Sequence, residues 1–268
     1  MKINSNFSNI ANSNLNSVKE QQEKSLERLA TGLKINSASD DVAGFQIAQR
    51  LFSQASGLQV AIRNANDAYS FSSVAETALD SVNSATQRVN ELSLQAANGS
   101  LSAADREAIQ YEISQVQQQV SDVQQNTTFG GQTIFSASQN RNFQVGANAG
   151  EQLGLSTSDL SSQIEQLNQI DVTTQAGAQL AITSSQQVSE SITASRSQIG
   201  AFQNRLSSTI SNLSNVYEQT ESARSRIEDA DFAQESANLV QQNILNNIGT
   251  AIAGQANANQ SVATALLG

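Results

Sequence analysis

None of the 268 residues is proline, where average usage of roughly 5% would supply about a dozen. Proline lacks the amide proton of the helical ladder and its ring clashes with the carbonyl one turn back, so long helices exclude it. The apolar residues are spaced to use that freedom. Leu51, Ala55, Leu58, Ile62, Ala65 and Tyr69 step by 4, 3, 4, 3, 4, and Leu79, Val82, Val89, Leu92 and Ala96 continue in a shifted register. Ile109, Ile113, Val116, Val120, Val123 and Thr127 repeat the pattern, the seam of a coiled-coil-like bundle. A third stripe runs through Val188, Ile192, Ile199, Phe202, Leu206, Ile210, Leu213 and Tyr217. Uninterrupted, residues 42 to 98 would span about 85 Å at the helical rise. With aromatic content of 4% and hydrophobic content of 38%, slender packing is expected rather than a broad globular core.

Both ends are amphipathic as well. Ile3, Phe7, Ile10, Leu15, Val18, Leu26, Leu29 and Leu33 follow a 3,4 repeat with Gln22 filling a gap, and Gly32 stops that helix. The last run carries Leu239, Val240, Ile244, Leu245, Ile248, Ile252, Val262 and Leu266. The three middle stripes can satisfy one another, whereas the terminal helices have only each other. Two amphipathic helices bury little alone, so burial between neighbouring copies is expected. Charge agrees with this reading. Residues 1–41 hold five bases and five acids, residues 42–235 hold nine arginines against nineteen acids, and nothing after Glu235 is charged. An uncharged segment can be covered by copies of itself without stranding charges. The acidic balance argues against a nucleic-acid partner.

Between the stripes lie punctuated segments. AANGS at 96–100 is a turn, with Ser102 as cap of the next helix and Asp105 three residues on. TTFGGQTIFSASQNRNFQVGANAG reads as a β-hairpin with strands near 133–136 and 142–145. Residues 146–178, rich in Gly, Ser, Thr and Gln, read as a connector. The expected fold class is therefore mainly α: a long antiparallel helical bundle or coiled-coil rod with one small β-hairpin, plus paired N- and C-terminal helices.

The chain holds no cysteine and no histidine, which removes thiolate and imidazole metal sites, the common nucleophile pairs and the usual base near neutral pH. No enzyme and no cofactor are expected. Asp40-Asp41 are better used as caps of the following helix, and the cluster Glu228, Asp229 and Asp231 as helix-start charge or partners of Arg224 or Arg226, than as cation ligands. Gly130-Gly131 shapes a hairpin rather than a phosphate cradle. No stretch approaches the ~18 apolar residues of a membrane span, and MKINSNFSNIANSN lacks a signal-peptide core, so no membrane partner is expected and export would need a different machine.

LATGLKINSASDDVAGFQIAQRL, QRVNELSLQAANG, NTTFGGQTIF, FQVGANAGE, ARSRIEDADFAQESANL and ILNNIGTAIAGQANANQS together resemble bacterial flagellin, in the family order and along the whole chain. The family's outer variable domains would insert around 150–185, where this chain has only a short connector. The resemblance implies a secreted, extracellular subunit of the bacterial flagellum that polymerises with itself into the swimming filament. Residues 1–41 with 232–268 would form the inner terminal-helix domain of the filament core, packed through Ile3, Phe7, Ile10, Leu15, Leu26, Leu29, Leu239, Ile244, Ile248 and Ile252. Residues 42–231 would form the outer rod domain, three long helices and the hairpin near 129–148. Gly32, Asn36, Asp40, Asp41, Arg226 and Asp229 would make the joint between them. The implied partners are the flagellar export machinery and export chaperone, and the filament cap and hook-filament junction proteins. A host Toll-like receptor joins them, meeting Gln87, Arg88, Leu92 and Glu112, a patch that also serves subunit stacking. The alternatives are a hook-filament junction protein and a soluble coiled-coil binding module; a flagellin metallopeptidase would need HExxH, which a chain without histidine cannot supply.

Overall fold

The computed structural model describes residues 3–135, 139–157 and 159–265, apart from the side chains of 3–8, 139, 256, 257 and 259–265. In chain order these form α1 (Ile3–Thr31), α2 (Val42–Ala96), α3 (Ala103–Asn126), β1 (Thr128–Phe129), β2 (Gln132–Thr133), β3 (Gln139–Gln144), β4 (Gln152–Thr157), α4 (Ser161–Asn168), α5 (Gln175–Glu228) and α6 (Phe232–Ala265). Contacts divide the chain into two compact units, Ser56–Tyr217 on one hand and Met1–Ala55 with Glu218–Gly268 on the other.

In the first of these units the heptad-like stripes become the core. Ala65, Ala68, Ala75, Leu79, Val82, Val89 and Ala96 of α2 are buried with Ile109, Ile113 and Val120 of α3 and Val188, Ile192, Ile199, Phe202 and Leu206 of α5. Alanine at so many seam positions lets the backbones approach closely, which is how a chain poor in aromatics still fills its interior. Ser102 and Asp105 form a reciprocal capping box, the Asp105 amide donating to Ser102 Oγ at 3.2 Å and the Ser102 amide to Asp105 Oδ2 at 2.9 Å. Arg106 closes the other side of the same turn, donating from Nε to the Ala96 carbonyl at 2.9 Å and from Nη2 to the Asn98 carbonyl at 3.0 Å. The Ala96 carbonyl is the last of α2 and has no ladder partner, while the Asn98 carbonyl also accepts from the Leu101 amide at 3.3 Å. Arg196 spans from α5 to Glu76 and Asp80 of α2 at 2.9 and 3.0 Å.

The strand pairing differs from the expected hairpin. Thr128 and Phe129 pair with Thr133 and Gln132 around Gly130-Gly131, whose φ angles of 59° and 78° are those of a two-residue type I′ turn. A second antiparallel pair joins 139–144 to 152–157, with Asn142 opposite Gly154. Residues 133–136 thus do not pair with 142–145; part of that expected strand, 136, lies outside the described residues. The segment 146–178 is not a bare connector either. It supplies β4 and α4, and buries Leu153, Leu155, Leu160, Ile164, Leu167, Ile170 and Val172. Phe71 of α2 meets Phe129 edge-on at 5.6 Å and Phe143 at 5.7 Å, and Phe143 meets Phe202 at 5.9 Å, so one aromatic cluster fastens both strand pairs to the helices.

The second unit is built on α1 and α6, with the first residues of α2 and the last of α5. Gln22 of α1 lies against Asn243 and Asn246, and Arg28 against Glu235, so the two helices run antiparallel.

Candidate assembly surface

The α1/α6 seam is polar where an amphipathic pair would ordinarily be apolar. Among the described side chains, Ser25 is the one buried residue of α1 and Glu235 the one buried residue of α6, at 3% and 7% exposure. Ser25 Oγ donates to Glu235 Oε2 at 3.0 Å and Arg28 Nη1 to Glu235 Oε1 at 3.0 Å. Burial works to raise the Glu235 carboxyl, but the hydrogen bonds from Arg28, Ser25 and Asn238 and the Arg28 charge outweigh it, holding the group below its usual range. Two turns on, Gln22 Nε2 donates to Asn243 Oδ1 at 2.9 Å while its Oε1 accepts from Asn246 Nδ2 at 3.1 Å. Gly249 lets the helices close further, since a Cβ there would stand 3.2 Å from Leu15 Cδ1.

Only some of the strong apolar residues share that seam. Leu15, Leu29 and Leu239 are half-buried, while Ile10, Leu26, Ile244, Ile248 and Ile252 are 45–59% exposed. The side chains of Ile3 and Phe7 lie outside the described residues. An apolar groove of about 310 Å³ runs between the helices, lined by Ile10, Leu15, Val18, Leu245, Ile248 and Ile252. Burying the exposed half of each large side chain would be worth about 1 kcal/mol. What the arrangement can do is bind another apolar surface; it offers no group of sites for a metal among the described residues.

The joints come together in the same unit. Gly32, at φ 75°, ends α1 with its amide on the Arg28 carbonyl at 2.9 Å. Its own carbonyl accepts from the Ala230 amide at 2.9 Å, the Lys34 amide donates to the Glu228 carbonyl at 2.6 Å, and Leu33 pairs with Asp229 as an antiparallel bridge. Asp41 Oδ1 accepts from the Ala43 and Gly44 amides at 3.0 Å each and caps α2. Asp231 repeats the device for α6, its Oδ1 accepting from Ala233 and Gln234. Asp40 does not cap α2. Its Oδ2 takes the Asn36 and Ser37 amides and the Ser37 hydroxyl, which hold its carboxyl low, the Ser37 amide most of all. Asp229 accepts from Ser225 Oγ, and Arg226 is exposed and makes no ion pair among the described residues, the neighbouring Arg224 taking Glu221 and Glu228 instead.

In the other unit, Arg88 Nε donates to Glu112 Oε1 at 3.1 Å and Nη1 to Glu91 Oε2 at 3.2 Å, with Gln87 exposed beside it. Leu92 departs from the expected surface patch. It is 2% exposed and packed in the core, because the stripe that continues through Val89 and Ala96 turns it inward.

Residues 3–140 match the family model of the bacterial flagellin N-terminal helical region and residues 182–267 that of the C-terminal helical region. A flagellin of Halalkalibacterium halodurans is 36% identical over 92% of each chain. Polar flagellin A of Vibrio parahaemolyticus is 31% identical with both chains covered completely; that alignment runs over 374 positions, so the relative carries residues this chain lacks. Among solved structures, Bacillus cereus flagellin matches 56% of this chain and 88% of its own at a TM-score of 0.52 and 24% identity. A putative flagellar hook-associated protein from Vibrio parahaemolyticus matches 71% and 100% at 0.64 and 17%, a likeness of fold.

The Asp41 cap is open to a direct check. Asp41→Ala should destabilise the start of α2 by about 1 kcal/mol, whereas Asp41→Asn, still a good cap, should remain near the parent. Trypsin cleavage after Lys34 reads this opening, several-fold faster for the alanine variant alone. Equal cleavage of both variants would mean that charge, not capping, is what Asp41 supplies.

Proposed function

Since this chain belongs to the bacterial flagellin family, and so is a structural subunit that polymerises into the flagellar filament of a motile cell, we propose that polymerisation completes the α1/α6 pair. Residues 1–41 with 232–268 form the filament core and residues 42–231 the outer layer, with the paired joints at 32–41 and 229–231 between them. The observation that carries this reading is the exposed row Ile10, Ile244, Ile248 and Ile252 beside a polar seam. Such a face is costly in water and is covered at low cost by a second copy, since no charge follows Glu235. The subunit is secreted through the flagellar export machinery, escorted by an export chaperone, and meets the hook-filament junction and cap proteins at the two filament ends. Ile248→Asp, and removal of residues 1–33 or 240–268, should each leave a helical chain that seeds no filaments under electron microscopy. Normal filaments from any of the three would overturn the assignment.

Gln87, Arg88 and Glu112 further form the contact for a Toll-like receptor of a vertebrate host, with Leu92 supporting the helix from beneath. The support is an exposed guanidinium, held in place by two carboxylates, on a rigid helix face. Reporter cells should respond to monomer, and Arg88→Ala should cost at least about tenfold in potency, near 1.4 kcal/mol. An unchanged dose response would remove Arg88 from the contact.

A further inference from the structure

The turn between α2 and α3 holds the chain's one Asn-Gly pair, Asn98-Gly99, followed by Ser100. All three residues are exposed. Asn98 Oδ1 accepts two hydrogen bonds, from the Ser100 amide at 3.1 Å and the Ser100 hydroxyl at 3.0 Å, which polarise the side-chain carbonyl. The Gly99 amide, the next nitrogen along the chain, is engaged by no acceptor among the described residues. Glycine also presents no Cβ to obstruct an approach to that nitrogen.

We propose that Asn98 is a site of spontaneous covalent modification, converting to aspartate and isoaspartate. The Gly99 nitrogen attacks Asn98 Cγ and gives up its proton to solvent; the C–N bond of the side-chain amide breaks, and its nitrogen leaves as ammonia. The product is a five-membered cyclic imide. Water, the only co-reactant, then opens the ring at either carbonyl and leaves a carboxylate. In the tetrahedral intermediate the negative charge develops on Oδ1, where the two Ser100 donors already point. Arg106, whose Nη2 holds the Asn98 carbonyl at 3.0 Å, keeps a positive charge beside the new carboxylate.

The other turn position with a comparable dipeptide is closed. At Asn36-Ser37 the Ser37 amide is taken by Asp40 Oδ2 at 3.0 Å. Asn12-Ser13, Asn16-Ser17 and Asn83-Ser84 lie inside helices, whose ladder occupies the following amide, and Asn4-Ser5, in the first turn of α1 where the ladder reaches no acceptor, carries a Cβ where Asn98 is followed by glycine. The conversion is therefore selective. It adds one negative charge to the turn, and the isoaspartate form lengthens the main chain by a methylene between the helices that carry Arg88 and Glu112.

The test is incubation of the full chain in mildly alkaline buffer, followed by tryptic mapping of the fragment 89–106. Asn98 should convert first, with isoaspartate at that position, while Asn36 and Asn83 stay intact. Gly99→Ala should slow conversion by at least about tenfold; its Cβ would meet only Gln175 Nε2 at 3.6 Å, so the fold is kept. Ser100→Ala should slow conversion several-fold in the folded chain and leave the rate of the isolated 89–106 peptide nearly unchanged. Two results would overturn the proposal: an intact Asn98 in the folded chain after the isolated peptide has converted, or a Ser100→Ala chain that converts as fast as the parent.

Discussion

The Glu235 carboxylate, enclosed between Ser25 and Arg28, is the contact on which the terminal unit depends. A buried carboxylate is expensive unless its partners are placed correctly, and Glu235 is satisfied only in one register and one orientation of α1 against α6. Gln22 repeats the constraint two turns away with Asn243 and Asn246. Hydrogen bonds of this kind contribute about 1 kcal/mol each, too little to hold two long helices together strongly. They serve well to choose which faces meet.

That choice has a consequence for the apolar residues. With polar groups on the seam, Ile244, Ile248 and Ile252 remain half in water, the last two along the open groove beside α1. A subunit of a helical polymer needs this division, because side chains already buried within one copy contribute nothing to holding the next. The unit 56–217 is arranged the other way, with its Leu, Ile, Val and Ala stripes buried within the chain and ion pairs joining its helices, Arg196 with Glu76 and Asp80 and Arg88 with Glu112. One chain thus carries a region that completes itself and, in the function proposed, a region completed by its neighbours.

The long helices were legible because their seams use strongly apolar residues at 3,4 spacing; α2 ends at Ala96, beside the AANGS turn. The terminal seam was legible only in part, through Gln22 in the α1 stripe. Gln22 and Ser25 continue the spacing of Val18 and Leu29, and Glu235, Leu239, Gln242, Asn246 and Gly249 step by 4, 3, 4, 3, but polar residues at those positions give no hydrophobic signal. A period sought without regard to polarity would have found them. Strand β4 was missed because its alternation, although unbroken, is short and carried by only two leucines among Gly, Ser and Thr, and α4 because eight residues show barely two turns. Asp41 was readable as a cap from its place before a helix, while Asp40 was not separable from it, since either of two adjacent acids can cap the helix and the other then ties back the local turn at 36–37. Leu92 was claimed twice, by the stripe through Val89 and Ala96 and by the surface patch four residues from Arg88, and its burial follows the stripe.

Amide hydrogen exchange across 9–31 and 232–255, compared between the free subunit and the assembled filament, tests the account most directly. It predicts weak protection of both segments in the free chain and strong protection on assembly, with 56–217 protected in both states. Equal protection of the terminal segments before and after assembly would contradict it, because the pair would then owe its stability to its own seam rather than to neighbouring copies.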